Sequence, residues 1–139
     1  MGEPDPIELA ARALQHRDCS RRDLEKRLAR AGIDEDRRND ALETLERVGY
    51  VDDERFAGAR AEALASRGYG DEWIRHDLGE HGVAAEAVAD AIGGLVPESE
   101  RAAAVVERLG RTPKTGAHLA RKGFGQDALE AALGLDVAG

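Results

Sequence analysis

A spacing pattern around three glycines, Gly32, Gly82 and Gly123, constrains the fold of this chain more than any other feature. An apolar residue follows each glycine, a leucine lies four residues before it and an aliphatic residue lies ten residues after it. Chance supplies one or two such matches, but a register shared at several offsets indicates an internal repeat. The residues in register are Ile33, Val83 and Phe124 after the glycines, Leu28, Leu78 and Leu119 before them, and Leu42, Ile92 and Leu133 farther on.

Each copy of the repeat is predicted to hold three helices. Ala, Leu, Arg and Glu dominate the chain, and runs of Val, Ile and Thr that would favour strands are missing. A unit of about 45 residues buries too little apolar surface to be robust alone, so neighbouring copies should pack on each other. We therefore expect an all-α fold, a tandem array of about three three-helix repeats that is elongated and curved. The expected organisation is a disordered N-terminus at 1–6, repeats at 7–50, 51–97 and 98–134, and a frayed C-terminus at 135–139.

Local signals place several helix ends. Ser20 is a good N-cap for the second helix of the first copy, and Gly32 can adopt the left-handed conformation that closes that helix. Asp71 and Ser99 are expected to cap later helices. The third copy is degenerate, because Thr115 stands where the other copies have a larger aliphatic residue.

Composition limits the function classes. The net charge is −8, which argues against nonspecific binding to nucleic acid, since that activity usually accompanies a basic balance. The single cysteine excludes an intramolecular disulfide, and no apolar run approaches the roughly 20 residues that span a bilayer. We expect a soluble, cytoplasmic monomer that makes no membrane contact.

Four segments together resemble the RecX family, and the resemblance extends over roughly residues 7 to 134. They are CSRRDLEKRLARAGI at 19–33, GYVDDERFA at 49–57, RGYG at 67–70 and LARKGF at 119–124. The first, third and last are similar to family signatures in the first, second and third repeats. The GYVDDERFA segment is similar to the acidic junction between the first two repeats.

The resemblance implies a regulatory protein that is not an enzyme. RecX-family proteins bind the filament of the RecA recombinase on DNA and restrain its growth, its ATP hydrolysis and its strand exchange. They have no catalytic residues or cofactors of their own, and they also contact DNA. This chain departs from its relatives in being acidic, with four Lys or Arg against ten Asp or Glu in residues 51–97. We therefore expect a RecA filament partner, at most weak DNA contact, and a role in DNA repair, recombination and the SOS response.

Basic residues are the candidates for partner binding. The outer face of the second helix of the first copy and an acid-free run at 111–122 concentrate positive charge in an acidic chain, which favours a binding role. The competing interpretation is an ordinary solvated helix face. The candidates are Arg21, Arg22, Lys26, Arg27 and Arg30, then Arg67 in the second-repeat motif, then Arg111, Lys114, Arg121 and Lys122.

Other chemistry-bearing residues favour structural roles. Asp52 and Asp53 fit helix caps better than a metal site, and Tyr50 and Phe56 are expected to close around the same junction. Trp73 fits packing between repeats, with a partner anchor as the alternative. The four histidines lack metal-ligand spacing.

The only cysteine, Cys19, lies near basic residues that would lower the pKa of its thiol, although no partners for a catalytic role are evident. Two other functions stay open at this point. One is a helical nucleic-acid-binding module that acts without RecA, and the other is a helical scaffold for a different protein.

Overall fold

A computed structural model describes residues 4–134, and within that range the chain forms nine α-helices and no strand. Residues 1–3 of the expected N-terminal segment and the whole expected C-terminal segment, 135–139, lie outside the described residues. None of the nine helices is both long enough and apolar enough to cross a bilayer. The helices are α1 (Pro6–His16), α2 (Arg21–Arg30), α3 (Glu35–Arg47), α4 (Asp53–Ser66), α5 (Asp71–Glu80), α6 (Ala85–Gly93), α7 (Glu98–Leu109), α8 (Pro113–Arg121) and α9 (Gln126–Leu133).

Buried apolar side chains form three separate clusters, each made by three consecutive helices. We name these groups unit 1 (α1 to α3), unit 2 (α4 to α6) and unit 3 (α7 to α9). The centres of the clusters are the aliphatic residues predicted from the spacing, with Leu28, Leu78 and Leu119 fully buried. The prediction of an all-α helical-repeat fold is confirmed.

The glycine register has a direct cause in the way the middle helices α2, α5 and α8 end. Gly32, Gly82 and Gly123 have φ of 84°, 76° and 88°, which is the left-handed region that favours glycine. The residue after each glycine donates its amide to the leucine carbonyl from four residues before the glycine, at 3.1–3.2 Å. This is a Schellman motif, in which those two apolar side chains also pack together. The repeated pattern therefore encodes three identical helix stops.

Two of the expected helix caps need correction. Ser20 caps α2 as predicted, in a capping box. Its hydroxyl accepts from the amide of Asp23, and the Asp23 carboxylate accepts from the amide of Ser20. The caps predicted at Asp71 and Ser99 are wrong, because α5 and α7 have Gly70 and Pro97 at their N-caps. Neither N-cap supplies a side-chain hydrogen bond. The first amide of α5 instead finds its acceptor outside the helix, because it donates to the carboxylate of Glu98 in unit 3.

The predicted closure by Tyr50 and Phe56 is half right. Phe56 is buried in the core of unit 2 and its ring lies 5.2 Å from that of His81. Tyr50 is 64% exposed, because its backbone follows the turn that ends α3 while Val51 takes the inward position. Of the two adjacent residues Tyr50 and Val51, it is therefore the second whose side chain enters the core.

Candidate partner-binding surface

The basic face of α2 follows from the way this helix is anchored. The capping box fixes its first turn, and Leu24 and Leu28 point into the core of unit 1. Because these leucines are four residues apart, the side chains between and after them project outward. Lys26, Arg27 and Arg30 are exposed, and none of the three forms an ion pair with a carboxylate within residues 4–134.

The first two predicted members of this surface are engaged within the protein. Arg21 forms an ion pair with Glu46 of α3. The side chain of Arg22 lies against Gly82, so that a Cβ on this glycine would come within 2.7 Å of the Arg22 Cβ. We therefore define the α2 basic surface as Lys26, Arg27 and Arg30, since Arg21 and Arg22 hold neighbouring parts of the chain.

The predicted basic run at 111–122 lies on α8 and its flanks. Thr112 caps this helix through the amide of Thr115, and Thr115 is buried together with Leu119. Lys114 and Arg121 are exposed and form no ion pair in the described part of the chain, and we call this pair the α8 basic surface. Its charge is not offset on the helix itself, because α8 contains no acidic residue.

The two remaining members of that run serve structural contacts. The Arg111 guanidinium lies beside Gly134, where α9 ends, so it faces the negative end of the helix dipole. The Lys122 ammonium lies 4.0 Å from the centre of the Tyr69 ring in unit 2, a cation–π contact between units. The run is therefore divided between an exposed surface and a junction.

At the junction between units 1 and 2, the start of α2 meets the end of α5. The Ser20 hydroxyl donates to the carbonyl oxygen of His81 at 2.7 Å, and His81 Nδ1 lies 2.9 Å from a carboxylate oxygen of Asp23. The backbone amide of Arg21 donates to Asp53 at 2.8 Å. Polar groups at helix ends therefore join the first two units.

The junction between units 2 and 3 repeats this arrangement one unit later. The amide of Gly70 donates to the carbonyl of Lys122 at 2.8 Å, and the amide of Asp71 donates to Glu98 at 2.6 Å. A second amide, that of Glu72, donates to the Gly123 carbonyl at 3.1 Å. In both junctions the start of one middle helix receives the end of the next middle helix. Hydrogen bonds therefore join neighbouring units, whereas the three apolar clusters stay separate.

The charge of the middle helix separates the two basic surfaces. The described ends of the array carry α2 and α8, whereas α5 between them is acidic, with Asp71, Glu72, Asp77 and Glu80. Asp77 accepts two hydrogen bonds from Arg60 of α4, both at 2.8 Å. This hydrogen bonding lowers the pKa of the Asp77 carboxyl, outweighing the opposite effect of burial.

The other predicted residues take structural positions. Asp52 caps α4 through the amide of Arg55, while its neighbour Asp53 serves the junction. Trp73 stacks on Tyr69 with ring centres 4.6 Å apart and touches Gly123, so it packs between units, although 44% of it is exposed. Within residues 4–134, no group of three or more His, Cys, Asp or Glu is arranged to hold a metal ion.

The expectation that basic neighbours lower the pKa of the Cys19 thiol is wrong, because the pKa is raised. Its thiol is buried at the edge of the unit 1 core, and burial raises the pKa of the thiol, with the nearby Asp23 acting in the same direction. Arg17 and Arg27 oppose this effect but do not overcome it. The basic neighbours visible in the sequence therefore matter less than desolvation.

Arg67 belongs to neither basic surface and is the C-cap residue of α4. It lines a cleft together with Arg101 and Arg108, two arginines of α7 that were not among the residues predicted from the sequence. Their only sequence signal is a spacing of seven residues, which places both on one side of α7.

Comparison with known protein families identifies the middle of the chain. A model described as the second three-helix domain of RecX matches residues 52–92, which cover nearly all of α4 to α6. Similarity to individual proteins extends much farther. A regulatory protein RecX from Xanthomonas axonopodis pv. citri (strain 306) is 32% identical, and the alignment covers 97% of this chain and 90% of that protein. One from Stenotrophomonas maltophilia (strain R551-3) is 32% identical, with 96% and 88% covered.

Solved structures agree on the fold. The crystal structure of RecX from Lactobacillus salivarius superposes with a TM-score of 0.80 at 18% sequence identity, covering 95% of each chain. Another crystal structure of a regulatory protein RecX superposes with a TM-score of 0.75 at 20% identity, covering 91% of this chain and 71% of that one. At these identities the superpositions establish the architecture alone.

Proposed function

Because this chain belongs to the RecX family of regulatory proteins, we propose that it binds the filament of the RecA recombinase. Binding modulates the filament, mainly by inhibiting its ATP hydrolysis, its growth and its strand exchange. The observation that carries this proposal is the similarity to regulatory RecX proteins over 97% of the chain. The protein then acts by binding and not by catalysis, as a cytoplasmic monomer in DNA repair, recombination and the SOS response.

The two basic surfaces suggest how one molecule could engage more than one filament subunit. The α2 basic surface is in unit 1 and the α8 basic surface is in unit 3, with the acidic α5 between them. The polar junctions would hold these surfaces at a fixed separation. A rigid molecule that contacts two subunits at once opposes their relative movement, and so it would slow the conformational cycle that accompanies ATP hydrolysis.

The proposal takes the repeats at 7–50, 51–97 and 98–134 as its working units. The middle range carries the excess of acidic residues, with ten against four basic ones. Phosphate groups would be repelled from this range, which supports a protein partner and a weak contribution from DNA. The terminal units carry the exposed cations that would contact the partner.

The test is the ATPase activity of RecA on single-stranded DNA, measured as this protein is added. We expect activity to fall with protein concentration and to level off when filament sites are filled, since the mechanism is stoichiometric. Unchanged ATPase activity at saturating protein would contradict the proposal. Tight, salt-sensitive binding to naked DNA with no effect on RecA would instead support a nucleic-acid-binding module.

A further inference from the structure

A cleft of about 260 Å³ between the end of α4 and one side of α7 has an unusual lining for this chain. Three of its lining residues are arginines, Arg67, Arg101 and Arg108, and none of the described residues that line it is acidic. The net charge of the chain is −8, so a group of three arginines with no acidic residue beside them in the lining stands out against the composition. Two of these arginines, Arg67 and Arg108, form no ion pair in the described part of the chain, and an anion placed between them would relieve their mutual repulsion.

Arg101 forms a fixed wall of this cleft. Its guanidinium donates to the carbonyl of Val96 at 2.8 Å and to that of Tyr69 at 3.0 Å, and it forms an ion pair with Asp71. The side chain is only 12% exposed, and its guanidinium lies over the ring of Phe124. Its charge is offset by Asp71, so Arg101 gives the cleft its shape and contributes less to its electrostatic potential.

Arg67 and Arg108 supply most of the positive electrostatic potential of the cleft. Both are exposed, and neither forms an ion pair or a side-chain hydrogen bond with any residue between 4 and 134. They approach the cleft from different elements, Arg67 from the C-cap of α4 and Arg108 from the last turn of α7. Two forked donors from different elements match the two oxygens of one carboxylate.

We propose that this cleft receives the carboxylate of a glutamate or aspartate side chain from an acidic segment of a partner protein. The remaining lining supports this choice, because Ala104 and Val105 form an apolar wall on which the methylene groups of such a side chain would pack. The proposal adds a contact between units 2 and 3 to those on α2 and α8. It does not depend on the partner being RecA.

A nucleic-acid backbone fits the cleft less well. A phosphate backbone needs an extended track of cations, whereas this cleft holds about 260 Å³ and only three arginines line it in the described part of the chain. A side chain carries a single charge that can enter the cleft while its own backbone stays outside. Carboxylate recognition is therefore the better match.

The experiment measures binding of a short fluorescent peptide whose glutamates are separated by serine and leucine, using fluorescence anisotropy and the full chain. We expect wild-type protein to bind this peptide and not its all-glutamine version. Replacing both cleft arginines (Arg67→Gln with Arg108→Gln) should weaken binding about tenfold or more, because two charge-assisted contacts are lost. A matched control that replaces two exposed arginines without an ion pair in the described chain (Arg17→Gln with Arg47→Gln) should change affinity by less than about twofold.

Three outcomes would overturn the proposal. One is that the wild-type protein does not bind the peptide, and another is that the cleft variant binds it as well as wild type does. The third is that a single-stranded DNA oligonucleotide, and not the peptide, depends on Arg67 and Arg108. Circular dichroism checks that each variant keeps its helices. A second variant with both arginines changed to lysine keeps the two positive charges but loses the paired N–H donors of the guanidinium groups. It should bind the peptide with intermediate affinity.

Discussion

Asp53 and Glu98 occupy equivalent places at the two junctions between units. Each is the first residue of a unit's first helix, and each accepts a hydrogen bond from the first amide of the middle helix in the unit before, at Arg21 and Asp71 respectively. The first amides of a helix have no acceptor within it, and a carboxylate there also meets the positive end of the helix dipole. The junctions thus use helix ends that would otherwise need water or a local cap.

Glu98 contributes more to its junction than a single cap would. Its other carboxylate oxygen accepts from the amide of Gly125, at 3.2 Å, so one side chain serves the starts of α5 and α9. We expect Glu98→Ala to lower the free energy of unfolding by about 1–3 kcal/mol, the range for losing a cap and leaving amides without acceptors. Urea unfolding followed by circular dichroism measures this loss.

The control for Glu98→Ala is Glu100→Ala, a substitution in the same first turn of α7. Glu100 is exposed, and its side chain makes no hydrogen bond or ion pair with another residue in the described range. Its removal should change stability by no more than about 0.5 kcal/mol. Equal losses for the two variants would show that the carboxylate of Glu98 is not what holds the junction.

Gly70 tests how closely units 2 and 3 must approach each other. Its φ of −86° suits any residue, so alanine there brings no backbone strain. A Cβ at this position would nevertheless lie 2.5 Å from the carbonyl carbon of Gly123, a backbone atom that cannot move aside alone. We expect Gly70→Ala to destabilise the protein by about 2 kcal/mol or more, within the range for overpacking a closed contact.

Gly58 provides the matched control for Gly70→Ala, because it lies within α4 and a Cβ there would meet nothing within 4 Å. Alanine is the better helix former, so Gly58→Ala should raise stability by about 0.5–1 kcal/mol. Thermal unfolding of the two variants should therefore shift in opposite directions. A Gly70→Ala protein as stable as wild type would contradict a tight backbone contact between Gly70 and Gly123.

The Arg60–Asp77 pair predicts a specific dependence of stability on pH. The hydrogen bonds from Arg60 lower the folded-state pKa of the Asp77 carboxyl from its ordinary 3.8. A carboxyl whose pKa is lower when folded adds stability above the unfolded pKa, and that stability is lost as the pH falls through the lowered folded value. Asp77→Asn should therefore cost about 1 kcal/mol at neutral pH, a modest figure because the Arg60 side chain is 36% exposed.

The stability difference between wild type and Asp77→Asn should shrink as the pH falls below 3.8, because the carboxyl is then protonated in the unfolded state, and it should vanish once the pH is below the lowered folded-state pKa. Urea unfolding at a series of pH values measures this difference. Asp90→Asn is the control, because Asp90 is an exposed residue of α6 without an ion pair in the described chain. A difference for Asp77→Asn that stays constant down to strong acid would rule out the pair as its source.

The sequence predicts the parts of this fold that depend on local chemistry. The three glycines could be read as equivalent because a Schellman stop needs a left-handed residue and two apolar residues at fixed offsets, all close together in the chain. The cap at Ser20 is equally local. The outward direction of Lys26, Arg27 and Arg30 follows from the positions of two buried leucines on the same helix.

The sequence predicts poorly what depends on contacts between distant residues. Ser20 and His81 are 61 positions apart, and nothing near either one indicates that the hydroxyl of the first will donate to the carbonyl of the second. The thiol of Cys19 has basic neighbours in sequence, but burial in the core determines the direction of its pKa shift. Arg67 and Arg108 share a cleft only because α4 and α7 meet there.

The α2 basic surface gives a direct prediction for regulation. Reversing Lys26, Arg27 and Arg30 to glutamate should weaken inhibition of the RecA ATPase about tenfold or more, since three exposed cations become anions. Arg21 and Arg22 are left unchanged because they contact Glu46 and Gly82. Reversal of Arg47, an exposed arginine of α3, is the control. If the variant with all three residues reversed keeps its helices and still inhibits fully, this surface does not contact RecA.

Retention of RecA by the immobilised protein tests the central claim most directly. The full chain is immobilised on a column. Lysate of the cells that produce this protein, supplemented with ATP and single-stranded DNA, is then passed over it. We predict that RecA is retained from the lysate, and that the variant with Lys26, Arg27 and Arg30 reversed retains much less of it. A result in which RecA passes through the wild-type column as freely as through an empty one would contradict the claim that this chain binds the RecA filament.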